Sequence, residues 1–297
     1  MRNMNGLQIA GSLAFFAATT LLNVPAFAQT DISGEWASLR NFEEGLEEPI
    51  GDYSGLPLND AARLRADTWE ASILTLPERQ CEPHGVDRTD NVGPIRIWKE
   101  VDPDTLQLRA YHLLVAWMNM HRVIYMDGRP HPPANALHTF MGFSTGQWDG
   151  NTLAVTTTHM REQWLRRNGV PRSDRATLHE RFVRHGNVLS WAFLVDDPIY
   201  LTEPYVRSRQ FKFEPGQPNF PYYPCDSVEE VVRPAGVVPN HLPGTNPDLA
   251  EYANQYGLPP EVERGGAETM YPEYKLKLDK MIEKAKLAAA GKSSTSK

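Results

Sequence analysis

Asp127-Gly128-Arg129-Pro130-His131-Pro132-Pro133 opens the block that decides the fold, a block that runs on to Asp197. After this rigid polar turn, His138-Thr139-Phe140-Met141-Gly142-Phe143-Ser144-Thr145-Gly146-Gln147-Trp148-Asp149-Gly150-Asn151 reads as a strand entering a hairpin. Thr152–Met160 is the returning strand. Asp149-Gly150-Asn151 and His185-Gly186-Asn187 are turn signals, because glycine and asparagine accept the positive φ that tight hairpins need. Thr177–Arg184 and Val188–Asp197 continue the pattern. In the second of these, Leu189, Trp191, Phe193 and Val195 share one face, and their burial preference makes that face core.

Outward from this block the same period-two alternation recurs. Ile95, Ile97 and Val101 alternate with Arg96, Trp98 and Glu100. Leu106–Trp117, Val123–Met126 and Thr202–Phe213 read as further strands, and Val228–Arg233 as the last. Before them, Asn59 is placed to cap a helix running from Asp60 to about Ile73. Eight to ten short strands in meander spacing, with few helices between them, predict a mainly β chain. The architecture expected is an antiparallel barrel or a sandwich, and a doubly wound parallel sheet is disfavoured. The β domain is expected over residues 29–234. A C-terminal extension, 235–297, carries short helical turns and a Lys-rich helical segment near Tyr274–Leu287, with Ala288–Lys297 expected to be disordered.

Residues 1–28 read as a secretory leader: Arg2, an apolar stretch to Val24, then Ala26-Phe27-Ala28 as a small-x-small cleavage site before Gln29. The expected location is periplasmic or secreted, with no membrane-spanning segment once the leader is removed. The chain has 297 residues and a formal net charge of −7, and it lacks a long basic run. That balance argues against a nucleic-acid partner. Two cysteines, Cys81 and Cys225, lie in Pro-flanked loops. An exported context permits a disulfide between them, with two free thiols as the alternative.

Two resemblances follow from the wording of the chain. Gly34-Glu35-Trp36, at the start of the first strand, is similar to the Gly-x-Trp opening of lipocalin-type barrels, where the Trp closes one barrel end. Met126-Asp127-Gly128-Arg129-Pro130-His131-Pro132, Gly142-x-Ser144-x-Gly146-x-Trp148-x-Gly150-x-x-Leu153-x-Val155, Glu180-Arg181 and Asp197-Pro198 together resemble a widespread group of exported bacterial proteins to which no activity is attached. That second resemblance covers the middle third of the chain well. It implies an exported β-rich domain and transfers no functional residue.

Gly142-Phe143-Ser144-Thr145-Gly146 matches Gly-x-Ser-x-Gly, but a nucleophile elbow needs a helix after the serine, and here a hairpin follows. The nine histidines show neither i, i+4 nor His-x-His spacing, so no metal ligand set and no cofactor is expected from spacing, although ligands could assemble from neighbouring strands. Acid/base chemistry at a barrel mouth fits the polar residues better. His159, Glu180 and Asp127 are the candidate catalytic residues. His159 or Glu180 would carry the proton, and Glu180, between Leu178 and Phe182 on one face, would be a partly buried carboxylate needing a partner. Arg129 is the candidate anion anchor. His131, Trp164 and Arg166 are further candidate substrate-binding residues, the last two in an Arg-rich connection, Arg161–Arg175, that could form a lid. The leading expectation is a cofactor-free lyase, isomerase or hydrolase acting on a small anionic, hydroxylated or aromatic compound. A non-catalytic carrier of a lipophilic or aromatic ligand, and a surface interaction protein without a pocket, are the alternatives.

Overall fold

The computed structural model describes residues 30–39, 49–72, 75–91, 93–216, 225–227, 234–255 and 257–294. The leader, Ile73 and the strand expected over 228–233 lie outside the described residues. In chain order the strands are β1 (Gly34–Leu39), β2 (Ile95–Val101), β3 (Leu108–Val115), β4 (Met120–Tyr125), β5 (Phe143–Asp149), β6 (Thr152–Thr158), β7 (Gln163–Trp164), β8 (Pro171–Arg172), β9 (Thr177–His185), β10 (Val188–Asp196) and β11 (Tyr205–Phe213). Helices are α1 (Asp60–Thr68), α2 (Glu251–Gln255) and α3 (Pro272–Ser294).

Nine strands close into one barrel, in the order β1-β11-β10-β9-β6-β5-β4-β3-β2, while β7 and β8 pair separately. A ring of nine strands cannot alternate direction all the way round, so one neighbouring pair must be parallel. That pair is β4/β5, joined only through Ile124↔Ser144 and Tyr125↔Thr145. The antiparallel barrel expected from the sequence thus contains this one parallel pair. The chain leaves β4 at the end where β5 finishes, so residues 126–142 must travel back along the barrel before β5 begins.

The two turns read from the sequence are hairpin turns. Gly150 (φ 58°) joins β5 to β6 and Gly186 (φ 58°) joins β9 to β10, the left-handed conformation that glycine adopts without penalty. Alternation sends Trp36, Ile95, Ile97, Tyr111, Leu113, Val155, Phe182, Leu189, Trp191 and Phe211 inward, where they form one buried core. Trp36 is fully buried, donates from its indole to the Ile32 carbonyl (3.0 Å) and packs on Phe213. A second cluster closes one barrel end. It joins Leu178, Phe193, Val195 and Tyr205 to Tyr53, Leu56, Leu58, Ala62, Ala66, Leu165 and Val170.

Helix α1 is capped as expected, the Asn59 side chain accepting from Ala62 N (3.0 Å). It ends at Thr68, earlier than the sequence pattern suggests. Trp69 leaves in extended geometry to bridge Asn240 and to pack on Trp164, because burying the indole outweighs another helical turn. The Arg-rich connection Arg161–Arg175 packs Leu165 and Val170 into the second cluster. Leu165, Val170 and Arg172 are buried, and Arg172 pairs with buried Asp87 (3.1 Å). At the other end of the chain, α3 runs to Ser294, past the Leu287 boundary. The run Ala288-Ala289-Ala290 continues the helix, alanine being the strongest helix former. Cys81 and Cys225 are disulfide-bonded across 144 residues of chain.

Candidate functional site

The parallel junction organises the site. Beyond Thr145 the rest of β5 has no strand partner on the β4 side among the described residues, because β4 has ended at Tyr125. A groove of about 680 Å³ occupies this gap in the wall. Leu108, Met126 and Trp148 give it apolar surface, Gln107, Gln147, Thr145 and Thr156 give it neutral hydrogen-bonding side chains, and Arg129 stands at its rim. Gly146 makes room here: a Cβ on it would lie 2.8 Å from Met126 Sδ, the far end of a flexible side chain, and 3.0 Å from Ile124 Cγ2. The glycine lets the returning chain close over β5.

Arg129 is held from two sides. Its Nε donates to Asp127 Oδ1 (2.8 Å), its Nη2 donates to Asp127 Oδ2, and its guanidinium lies 3.8 Å from the centre of the Tyr125 ring. The hydrogen bonds from Arg129 lower the Asp127 pKa to about 2. The rim therefore presents a neutralised ion pair rather than a bare cation, and Nη1 takes no part in these bonds to Asp127.

Behind the groove wall runs a directed chain of hydrogen bonds. His131 Nε2 meets Thr145 Oγ1 (2.8 Å) and His131 Nδ1 meets Thr158 Oγ1 (2.7 Å). Thr158 Oγ1 meets His159 Nδ1 (2.8 Å), and His159 Nε2 meets the Pro133 carbonyl (2.9 Å). A carbonyl only accepts, so neutral His159 carries its proton on Nε2 and accepts at Nδ1. The Thr158 hydroxyl then donates to His159, His131 donates from Nδ1 to Thr158, and His131 Nε2 is left to accept from the Thr145 hydroxyl. A proton added at His159 Nδ1 reverses the three links from His159 through Thr158 and His131 to Thr145, while Nε2 still donates to the Pro133 carbonyl. Burial, and secondarily the charge of His159, lower the His131 pKa, which favours the neutral ring. His138 stands beside this chain, its ring 5.1 Å from that of His159.

Of the residues expected to form a site, Asp127, Arg129, His131 and His159 gather around this crossover. His159 reaches it by leaving the inward face that Leu153, Val155 and Thr157 keep. Its φ of 56° breaks the strand alternation, a left-handed conformation that histidine tolerates better than most residues.

Glu180 is elsewhere. It lies inside the barrel with its side chain fully buried, and its partner is Arg122. Arg122 Nη1 donates to Oε1 (2.8 Å), Arg122 Nη2 and Thr157 donate to Oε2, and Trp191 Nε1 donates to Oε1 (3.0 Å). Arg122 also donates to Ser144 (3.0 Å) and Thr157 (2.8 Å). All four carboxylate acceptor positions are used. A carboxylate so enclosed has no route to a substrate, and Glu180 and His159 belong to separate networks. The serine of the Gly-x-Ser-x-Gly motif is part of the inner one: Ser144 is buried and clamps the β4/β5 junction through Arg122.

Trp164 and Arg166 are also apart from the groove. Trp164 packs on Trp69 and helps line a separate pocket of about 350 Å³ with Arg65, Leu76 and Gln80. Arg166 donates to the Ser54 carbonyl (3.1 Å).

Sequence reasoning missed Arg122, Thr145, Thr158 and the two glutamines. Only Arg122 left a signal, a charge on the inward face of β4 between Met120 and Ile124. The threonines gain their roles from a crossover whose path no local pattern encodes.

Neither a family model nor a curated protein matches the chain. Two solved structures match it at low similarity. A secretory abundant heat soluble protein of Ramazzottius varieornatus is 13% identical, with a TM-score of 0.29, over 62% of this chain and 95% of its own. Secretory abundant heat soluble protein 4 of the same organism is 13% identical, with a TM-score of 0.28, over 61% of this chain and 94% of its own. These values are too low to bear on function.

Proposed function

We propose that the chain is an exported small-molecule-binding β protein. Its ligand occupies the seam groove and is a neutral, hydroxylated compound with an apolar or aromatic face. The observation that carries this reading is the lining: two glutamines and two threonines facing Leu108, Met126 and Trp148, with the rim arginine already paired to Asp127. Such a wall offers directional hydrogen bonds and an apolar surface, and little net charge. The expected anion anchor thus becomes a neutral rim. Export is supported by the leader-like residues 1–28 and by the disulfide, which belongs to oxidising compartments.

A second reading, acid/base catalysis on the same ligand, is favoured by the His131–Thr145 contact. A hydroxyl donating to an imidazole that is itself oriented by a third group is the geometry of an activated hydroxyl. In this reading His131 accepts the Thr145 proton, and Thr158 and His159 hold the tautomer.

Thermal shift with a panel of monosaccharides, disaccharides, neutral aryl glycosides and matched aryl carboxylates tests the binding reading. The neutral hydroxylated aromatics should raise Tm, with a stabilisation of about 2.7 kcal/mol at a hundredfold excess over Kd. Ala154→Trp, which fills the groove from β6, should abolish the shift. A shift that survives Ala154→Trp, or one confined to the carboxylates, refutes the groove. For catalysis, turnover of chromogenic glycosides or esters should fall in His131→Gln and Thr145→Val while binding persists. Unchanged turnover in both removes the second reading.

A further inference from the structure

A second cluster of titratable side chains lies on the outer barrel surface, away from the histidine relay. Trp98, His112 and His121 project outward from β2, β3 and β4. Trp98 stands opposite His112 in the β2/β3 register, while His121, opposite Leu114, is displaced two positions along β4 from Val123, the partner of His112. The two imidazoles are nearly coplanar with each other, at 12°, and both lie almost parallel to the Trp98 indole, at 8° and 7°. Glu100 Oε2 takes a hydrogen bond from His112 Nε2 (2.8 Å). A carboxylate accepts, so that nitrogen carries the proton and His112 Nδ1 presents a lone pair. His121 Nε2 lies 2.9 Å from that lone pair.

We propose that His112 and His121 form a surface transition-metal site, with copper(II) as the preferred ion. Three observations carry it. The two facing nitrogens stand 2.9 Å apart and, with the ring centres 5.1 Å apart, meet almost head-on in a hydrogen bond; a turn of each ring about its own side-chain bonds aims both lone pairs at one ion at imidazole–metal distances of about 2.0–2.1 Å. Copper(II) is preferred because it stands highest in the general order of divalent-metal affinities for nitrogen ligands, above zinc(II) and nickel(II). Glu100 on the far nitrogen of His112 is the carboxylate–histidine–metal arrangement, which fixes the ring and raises its basicity. His121 is ready to bind after its proton moves from Nε2 to Nδ1, so two neutral imidazoles ligate without net loss of a proton. Among the described residues no group of three or more His, Cys, Asp or Glu converges on one point, so water completes the coordination.

Trp98 makes the site its own reporter, since bound copper(II) quenches an indole lying parallel to its ligands. The test is a titration of the untagged, metal-free, disulfide-intact chain with copper(II), zinc(II) and nickel(II) alone. Tryptophan fluorescence and electron paramagnetic resonance are the readouts. Expected is saturable quenching at one copper per chain, nitrogen hyperfine structure from two imidazoles, and weaker binding of zinc. His121→Ala and His112→Ala should each abolish the saturable phase, Trp98→Phe should remove the quenching while leaving the resonance signal, and Glu100→Gln should weaken binding about tenfold. His138→Ala should change nothing. His121 is exposed, so its replacement leaves the core intact, and an unchanged circular dichroism spectrum confirms it. Saturable binding that survives His121→Ala, binding lost instead in His138→Ala, or no saturable copper binding in the unmodified chain overturns the proposal.

Discussion

Breaking the pair inside the barrel is the most demanding perturbation the structure suggests. Arg122 and Glu180 have side chains 1% and 0% exposed, and their hydrogen bonds reach β4, β5, β6, β9 and β10. Replacing one partner leaves the other as an uncompensated buried charge, which costs about 3–5 kcal/mol. Glu180→Leu additionally strands the Trp191 N–H and one hydroxyl proton of the Ser144–Thr157 pair, each adding about 1–3 kcal/mol. Arg122→Met carries the charge penalty alone, because Ser144 and Thr157 keep their mutual hydrogen bond (2.9 Å). The double variant Arg122→Met/Glu180→Leu removes both charges and leaves the Trp191 N–H and one hydroxyl proton of the Ser144–Thr157 pair unmet, each at about 1–3 kcal/mol, without the buried-charge penalty. The assay is urea unfolding under non-reducing conditions, followed by tryptophan fluorescence and circular dichroism and arranged as a double-mutant cycle. Against a total stability of about 5–15 kcal/mol, Glu180→Leu alone can abolish folding, and recovery in the double variant then remains readable. A double variant no more stable than the worse single variant would refute the reasoning, because the two charges would then not be each other's compensation.

Three further outcomes follow from single features. Burial, and next the nearby Arg88 charge, lower the His84 pKa to about 4 from its ordinary 6.5; the unfolded chain then takes up the proton first, so stability is fully present above pH 6.5 and declines by up to about 3 kcal/mol as pH falls to 4, a slope that should flatten in His84→Gln when unfolding is measured from pH 7.5 to 4. Replacing Cys81 and Cys225 with serine opens a loop of 144 residues and should lower stability by about 2–5 kcal/mol; calorimetry showing an unchanged Tm would mean that the reduced chain is equally constrained. Gly142 has φ 64° and its added Cβ would lie 2.6 Å from the Thr158 carbonyl oxygen, while Gly128 has φ 73° and open space, so Gly142→Ala should cost clearly more than the roughly 1 kcal/mol expected of Gly128→Ala, and equal Tm losses would refute the close approach.

Period-two alternation and glycine turns are local properties, and they made most of the barrel legible. Leu189, Trp191, Phe193 and Val195 are buried as their spacing requires, and Gly150 and Gly186 turn the chain where hairpins were expected. Glu180 was correctly read as a carboxylate on an apolar face in need of a partner. That the partner is Arg122, 58 residues away, has no local signature, and it moves Glu180 from chemistry to scaffolding. The histidines divide the same way. His131 and His159 come together only because residues 126–142 cross back over the parallel junction, and His112 meets His121 only through the β3/β4 register. What the sequence by itself determined is a mainly β chain, its strands and turns, and which faces are apolar, because each depends on neighbours one to four residues apart. Closure through nine strands, the parallel seam this forces, the groove it leaves open, and which polar groups meet there were decided by the tertiary structure. Those depend on how β4 and β5 are brought side by side, and only the closed ring fixes that.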